Sequence, residues 1–103
     1  MIVTTSDSIS GKDVKQYLGV VRGIVVRAPT ISQGIMGGLK SIVGGKIGAY
    51  AQMCEHARQE AHELMLEHAT TMGANAIIAM RYDTGDIGQG NSEVLCYGTA
   101  VIV

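Results

Sequence analysis

The segment from Gly44 to Gly73 constrains the fold most, because it is the only stretch periodic and long enough to predict a helix of roughly 25 residues. Small or apolar residues recur along it and form one stripe at about 100° per residue. This stripe consists of Ile47, Tyr50, Ala51, Cys54, Ala57, Ala61, Leu64, Met65, Ala69 and Met72. Gly73 ends the segment, as glycine commonly does after the last turn of a helix. We therefore expect the other elements to pack against this helix.

Other segments have the composition of β-strands. The longest is rich in β-branched residues and stops before Pro29, which cannot donate to a strand ladder. The predicted strands are 1–5, 14–28 and 92–103, and segment 74–82 is predicted to begin with a helix-to-strand turn and to continue as a strand. The first of them is expected to pair at an edge of the sheet. Together they predict an α+β fold, with a small sheet of three or four strands packed on one long helix.

Two further segments contain residues that weaken regular structure. Glycines within 30–43 lower the stability of a helix, so this segment is predicted to be a marginal short helix or an ordered loop. Segment 83–91 contains Asp, Gly and Asn residues that favour turns, so it is predicted to be a turn or a flexible hairpin loop. The expected order is therefore β-β-(short α)-α-β-β.

The composition limits the class of protein. The 103 residues are expected to form a single domain, 1–103, whose core lacks Trp and Phe. A formal charge of −1 without a cluster of Lys or Arg argues against nucleic acid as a partner. No apolar run approaches the roughly 20 residues of a membrane span. With no signal segment in the sequence, we expect a cytoplasmic protein.

Both faces of the last predicted strand are largely apolar, which predicts self-association. One face carries Leu95, Tyr97, Thr99, Val101 and Val103, and the other carries Val94, Cys96, Gly98, Ala100 and Ile102. One helix can cover only one face of a sheet, and a large apolar patch is rarely left in water. We therefore expect a homo-oligomer.

Five short motifs resemble the signature of the YbjQ family of small bacterial proteins. In chain order they are Tyr17-Leu-Gly19 with Gly23, Gly44-Gly45 with Gly48-Ala-Tyr50, Ala57-Arg58, Gly73-Ala-Asn-Ala76 and Gly98-Thr-Ala-Val101. The resemblance implies a fold like the dodecin subunit, assembled as a ring-shaped homopentamer. About function, the resemblance implies only the family's label, "putative heavy-metal-binding". It supplies no ligand or catalytic residues.

The cysteines and histidines are the residues that a soft metal would use. Cys54 lies at the centre of the helical stripe and Cys96 on a strand face, so both are predicted to be core residues. Alternatively, the two thiols approach each other across the layers and bind a soft ion. The three histidines follow one another by six residues on the helix, so they diverge around it and cannot share one ion. They are His56, His62 and His68.

Polar residues of the helix give two weaker candidates for binding. One helix face carries His56, Glu60, Glu63 and Glu67 within about 60°. This face is predicted to be solvated, and a divalent cation that relieves carboxylate repulsion is the alternative. Arg58 lies close to the apolar stripe, where we expect its head group to meet a carboxylate or a carbonyl. The alternative is a contact between subunits or an anion site.

The sequence gives little support for an enzyme. The glycine-rich segment 34–41 has Leu39 where a phosphate-binding loop requires glycine, and no nucleophile with a base and an orienting acid is evident. We therefore expect an oligomer that binds a heavy metal, another divalent metal ion or a small ligand. A purely structural or interaction module is the alternative. An enzyme with a site between subunits has the least support.

Overall fold

The computed structural model describes residues 1–27 and 46–103. Segment 28–45, which includes the short helix predicted at 30–43, lies outside the described residues, as do the side chains of residues 46, 47, 49 and 50. The elements in chain order are β1 (Ile2–Val3), β2 (Gln16–Arg27), α1 (Lys46–Thr71), β3 (Ala76–Gly88) and β4 (Asn91–Ile102). The predicted α+β class, with one long helix and a small sheet, is confirmed for this part of the chain.

The four strands of the described residues form one sheet in the order β1-β3-β4-β2. β1 is parallel to β3, and β4 is antiparallel to both of its neighbours. The short β1 lies at an edge, as predicted. The chain after β1 continues along β3, where Thr4 donates to the carbonyl of Ile77 and accepts from the N–H of Met80, both at 3.0 Å. The hairpin of β3 and β4 therefore forms the centre of the sheet.

The β3–β4 hairpin is much longer than the sequence predicts. Only Gln89 and Gly90 separate the strands, with φ of 57° and 79°, the left-handed pair that a tight hairpin turn requires. The predicted turn within 83–91 is confirmed at these two residues, and the prediction of a flexible loop is wrong for 83–88, which belong to β3. Thr84 pairs with Val94, and Asp86 pairs with Ser92. This cross-strand pairing holds residues of low strand propensity in an extended conformation.

Helix α1 packs on the sheet along a narrow ridge. The ridge repeats every four residues and consists of Met53, Ala57, Ala61, Met65 and Ala69, all of them buried. The predicted stripe was too broad, because Ala51, Cys54, Leu64 and Met72 are exposed. The centre of the predicted stripe was also misplaced, because the stripe did not include Met53, which is buried in the ridge. Small side chains in the ridge bring the helix backbone close to β2, and of its flanking residues Leu66 packs at the margin of the core.

The helix approaches β2 most closely at Gly23. A Cβ atom on Gly23 would overlap the carbonyl oxygen of Ala61 and lie 2.7 Å from the nitrogen of Met65, which are backbone atoms of α1. Gly98 in β4 is also enclosed, because a Cβ atom there would lie 2.6 Å from Cγ2 of Ile77. Both glycines thus occupy places where a neighbouring element leaves no room for a side chain.

A bulge near the start of β2 changes which residues face the helix. Tyr17 pairs with Val101 and Gly19 with Ala100, so Leu18 is an extra residue on this strand. Strict alternation along the strand would place Tyr17 on the face of Gly19 and Val21. The bulge moves Tyr17 to the opposite face, where 68% of its surface is exposed.

We call the sheet surface turned away from α1 the open face. Its exposed apolar residues on β2 are Tyr17, Val20, Ile24 and Val26. Ile9 and Val14 of the loop after β1 pack on Ala76, Ile78 and Val101, and so cover only one end of this face. Among the described residues, the remainder of the open face has no covering element.

We call residues 81–88 of β3 the arm. Every residue of the arm is exposed, including Ile87 at 53%. The longest dimension of the subunit is 51 Å, and the Cα radius of gyration is 16.5 Å. A compact domain of this length has a radius of gyration of about 13 Å. The subunit is therefore more extended than a chain that buries its strands against itself.

We predict that Gly23→Ala lowers the free energy of unfolding by about 3 kcal/mol or more, because its methyl group would overlap the backbone of α1. Gly48→Ala is the matched control, since a Cβ atom there meets nothing within 4 Å. In this helical position alanine should be neutral or stabilise by up to about 1 kcal/mol. Urea unfolding of both variants measures the difference. Wild-type stability of Gly23→Ala would contradict the packing described here.

Candidate functional site

A groove runs between α1 and the β3–β4 hairpin, with Arg58 at its middle. On one side of Arg58 is a depression of about 290 Å³, lined by Glu55, Gln59 and His62 of α1 and by Tyr82 of β3. On the other side is a depression of about 220 Å³, lined by residues of α1, β2, β3 and β4. We call the two together the Arg58 groove.

The second depression has an apolar floor and a polar rim. Ala57 and Val94, which are both buried, contribute apolar surface. The other lining residues are polar or reactive: Arg27, Cys54, Arg58, Thr84, Ser92 and Glu93. A small polar ligand could therefore lie on the floor and form hydrogen bonds at the rim.

The spacing of residues on the helix and the strands explains how the groove forms. Glu55, Arg58, Gln59 and His62 follow the i, i+3, i+4, i+7 pattern, so they share one flank of α1 beside the buried ridge. On β3, Tyr82 pairs with Cys96 and therefore lies on the sheet face that α1 covers. The same alternation brings Thr84 to that face, two residues further along the strand.

The two arginines of the groove have no carboxylate partner. Neither Arg27 nor Arg58 lies within 4.0 Å of a carboxylate of the described residues. Segment 28–45 contains no Asp or Glu, so it cannot supply one. The predicted pairing of Arg58 with a carboxylate of its own chain is therefore wrong, while a carbonyl partner remains a prediction. Both arginines are half-buried, which makes an unpaired charge costly.

Tyr82 of the groove wall is the cross-strand neighbour of the buried Cys96. Cys96 is fully buried, and its thiol donates to Sδ of Met65 at 3.6 Å. Burial raises the pKa of the Cys96 thiol. Partial desolvation, the neighbouring Cys96 and the negative charge of Glu55 also raise the pKa of Tyr82, with a smaller opposing effect from the positive charge of Arg58. At neutral pH the phenol is therefore a hydrogen-bond donor at the groove wall.

Of the two cysteines, only Cys96 belongs to the core. Cys96 is buried as predicted, whereas Cys54 is exposed and lines the groove. The prediction that Cys54 is buried is wrong, because the neighbouring Met53 occupies the ridge that contacts the sheet. A step of one residue turns a helix by about 100°, which moves Cys54 onto its flank.

The residues proposed as metal ligands lie apart or on the surface. His56, Glu60, Glu63 and Glu67 are all exposed, and Glu63 accepts a long hydrogen bond of 3.5 Å from Gln59. Across residues 1–27 and 46–103, no group of three or more His, Cys, Asp or Glu side chains could hold a metal ion. That finding concerns one subunit only.

The three histidines have three different surroundings, which confirms that they diverge. His56 is exposed, and His62 lines the groove. Nδ1 of His68 accepts a hydrogen bond from the main-chain N–H of Arg22 at 3.2 Å. His68 thus connects the end of α1 to the edge strand β2.

Sequence reasoning missed most of the groove. Arg27, Tyr82 and Thr84 were not singled out, and His62 was considered only as a metal ligand. The alternation of Tyr82 and Thr84 is visible in the sequence, but Thr84 fell in the predicted loop. Recognition of the groove requires the tertiary structure, because it depends on the full length of β3 and on its position beside α1.

Comparisons with known proteins identify relatives and a similar fold. The model of the YbjQ family, described as "Putative heavy-metal-binding", matches residues 1–103. A UPF0145 protein of Legionella pneumophila strain Corby is 75% identical over 103 residues, covering 100% of this chain and 98% of the relative. A UPF0145 protein of Francisella tularensis is 50% identical over 105 residues, covering 100% and 99%.

A solved structure shares the fold at low sequence identity. It is a protein of unknown function of the DUF74 family from Pediococcus pentosaceus, with a TM-score of 0.65 and 20% identity. The match covers 100% of this chain and 97% of the other. Separately, none of the described helical residues form a segment with the length and apolar character needed to span a membrane.

We predict that the two thiols differ sharply in reactivity. Cys54 is exposed and should react with a disulfide reagent such as Ellman's reagent within minutes in the native state. Cys96 is buried with a raised pKa and should react only after unfolding. Native Cys54→Ser should therefore release almost no thionitrobenzoate, and native Cys96→Ser should release the wild-type amount. Rapid reaction of both thiols in the folded protein would contradict the placement of Cys96.

Proposed function

Because the chain belongs to the YbjQ family, described as putative heavy-metal-binding, we propose that it acts as a closed homo-oligomer that binds a metal ion or a small ligand. The family resemblance in the sequence implies a ring of five dodecin-like subunits, so the proposed oligomer is a homopentamer. Each chain contributes one domain. Two free cysteines are typical of proteins kept in a reducing compartment, which favours the cytoplasm.

The arm is the observation that carries the proposed assembly. The chain after β1 pairs with β3 as far as Met80, and the side chain of Arg81 donates to the carbonyl of Thr5 at 2.8 Å. Beyond this point, no described strand pairs with the outer edge of β3. An exposed strand edge readily pairs with another chain. In this proposal, a neighbouring subunit completes the edge of the arm.

The open face supports the same assembly. Val20, Ile24 and Val26 are 65%, 44% and 55% exposed, although they are apolar residues of one continuous strand. Leaving them in water is unfavourable by about 25 cal/mol for each Å² of apolar surface. If the arm of one subunit packs on the open face of the next, both surfaces are buried by one repeated contact. A repeated head-to-tail contact whose rotation closes forms a ring, and this is the assembly that we propose.

We predict that the wild-type protein has five times the subunit mass at micromolar concentration. Val20→Glu with Val26→Glu should convert it to monomers, because charges would have to be buried in the interface. Gln52→Glu is the control, since it adds a negative charge at an exposed position of α1. Light scattering behind a sizing column measures all three masses. A wild-type monomer would contradict the assembly, and a dimer would contradict the ring.

For the metal, the structure offers two different donor sets. The sulfur atoms of Cys96 and Met65 lie 3.6 Å apart, and soft metals prefer thiolate and thioether ligands. However, a metal would have to displace the proton of a buried thiol whose pKa is raised. The exposed carboxylates of Glu60, Glu63 and Glu67 suit hard cations, but only weakly at the surface. Metal binding by a single subunit is therefore expected to be weak.

We predict that calorimetric titration with zinc, copper and cadmium gives either no heat or weak binding. Weak binding at the acidic helix face should disappear in Glu60→Gln with Glu63→Gln. Submicromolar, stoichiometric binding that survives this double change would contradict the prediction. If this tight metal binding is lost in Cys96→Ser but kept in Cys54→Ser, the metal binds at the sulfur atoms of Cys96 and Met65. With neither metal nor ligand bound, the protein would be a structural module.

A further inference from the structure

We propose that the Arg58 groove binds a small organic phosphate, with the phosphate group between Arg27 and Arg58. This inference concerns a different ligand from the family's metal, and it rests on the groove of a single subunit. It does not depend on the number of subunits in the assembly.

The first argument is that two arginines without a salt-bridge partner line one depression of the groove. Arg27 of β2 and Arg58 of α1 line the same depression of about 220 Å³. Both are half-buried, and neither has a carboxylate within 4.0 Å among the described residues. Two guanidinium groups that line one depression without a salt bridge to a carboxylate repel one another. An anion that enters between them removes this repulsion and satisfies their donors.

The second argument is that the Glu93 carboxylate does not neutralise the two arginines. Glu93 borders the depression, but it lies between Ser92 and Val94 on β4. Val94 is buried in the core beneath the helix, so strand alternation directs the Glu93 side chain toward the open face. The Glu93 carboxylate is thus on the other side of the sheet.

The third argument is the number and kind of donors, which suit phosphate. A guanidinium group binds phosphate through two parallel hydrogen bonds, and two arginines can do so from different elements. The hydroxyl groups of Thr84 and Ser92 line the same depression and supply further donors. A phosphate monoester carries close to two negative charges at neutral pH, which matches the two arginines.

The depression on the other side of Arg58 suits the organic part of the ligand. It offers the phenol of Tyr82, the imidazole of His62, the amide of Gln59 and the carboxylate of Glu55. These groups can donate to and accept from hydroxyl groups. The carboxylate of Glu55 would repel a second phosphate placed there. The expected ligand is therefore a compact, hydroxylated molecule with a single phosphate.

The test is titration of the assembled, full-length protein with inorganic phosphate and with glycerol 3-phosphate, followed by calorimetry and ³¹P NMR at constant ionic strength. Wild-type protein should bind both probes saturably, and glycerol 3-phosphate more tightly. Arg27→Gln and Arg58→Gln should each weaken binding by about tenfold or more. Lys12→Gln is the control, because Lys12 is an exposed cation of the loop after β1 outside the groove, and the affinity of this variant for phosphate should be unchanged.

Three results would overturn the inference. They are the absence of saturable phosphate binding, wild-type affinity in both groove variants, and equal weakening in Lys12→Gln. The remaining explanation is that Arg58 contacts a neighbouring subunit. The mass of each variant, measured by light scattering, distinguishes this contact from phosphate binding. If Arg58→Gln dissociates the assembly and phosphate does not bind to wild-type protein, then Arg58 pairs with a carboxylate of a neighbouring copy. This result would support the proposed assembly and contradict the phosphate site.

Discussion

The structure depends on the close contact between α1 and β2 at Gly23. At this point the backbone of the helix lies so near the strand that a methyl group has no room. Such an approach is possible because the contacting ridge contains Ala57, Ala61 and Ala69, with Met53 and Met65 filling the gaps between them. A chain without Trp or Phe must gain its stability from dense packing of small groups, since each contact contributes little by itself. Gly23 is therefore as much a part of the core as the side chains around it.

The same contact decides what the helix leaves uncovered. Because α1 approaches along a narrow ridge over β2 and β4, its flank stands above the hairpin and encloses the Arg58 groove. The helix borders the arm only at Tyr82 and Thr84, which line the groove, and it cannot reach the open face. Two surfaces are thus left for other molecules, one groove with unpaired positive charge and one apolar face beside an unpaired strand edge. We assign the groove to a small anion and the apolar face to other copies of the chain.

The sequence predicts features that arise from short-range patterns. The predicted and observed bounds of α1 agree within a few residues, because periodicity and Gly73 define them locally. Burial of Cys96 follows from strand alternation for the same reason. Cys54 was misplaced because alanines on several sides of the helix made the apparent stripe too broad. The extension of β3 through 83–88 depends on partners in β4, which residue propensities do not reveal. The groove joins Arg27, Arg58 and Tyr82 from three elements, so its recognition requires the tertiary structure.

The central claim is that the arm and the open face are buried against other copies of the chain. Hydrogen–deuterium exchange of the peptide that contains residues 81–88 tests it most directly, at high protein concentration and after dilution below the assembly threshold. We expect amides on the outer edge of β3 to exchange slowly in the concentrated sample and to lose this protection on dilution, while amides of α1 remain protected. Rapid exchange of 81–88 at every concentration would contradict the account, because the arm would then be solvated in the native protein.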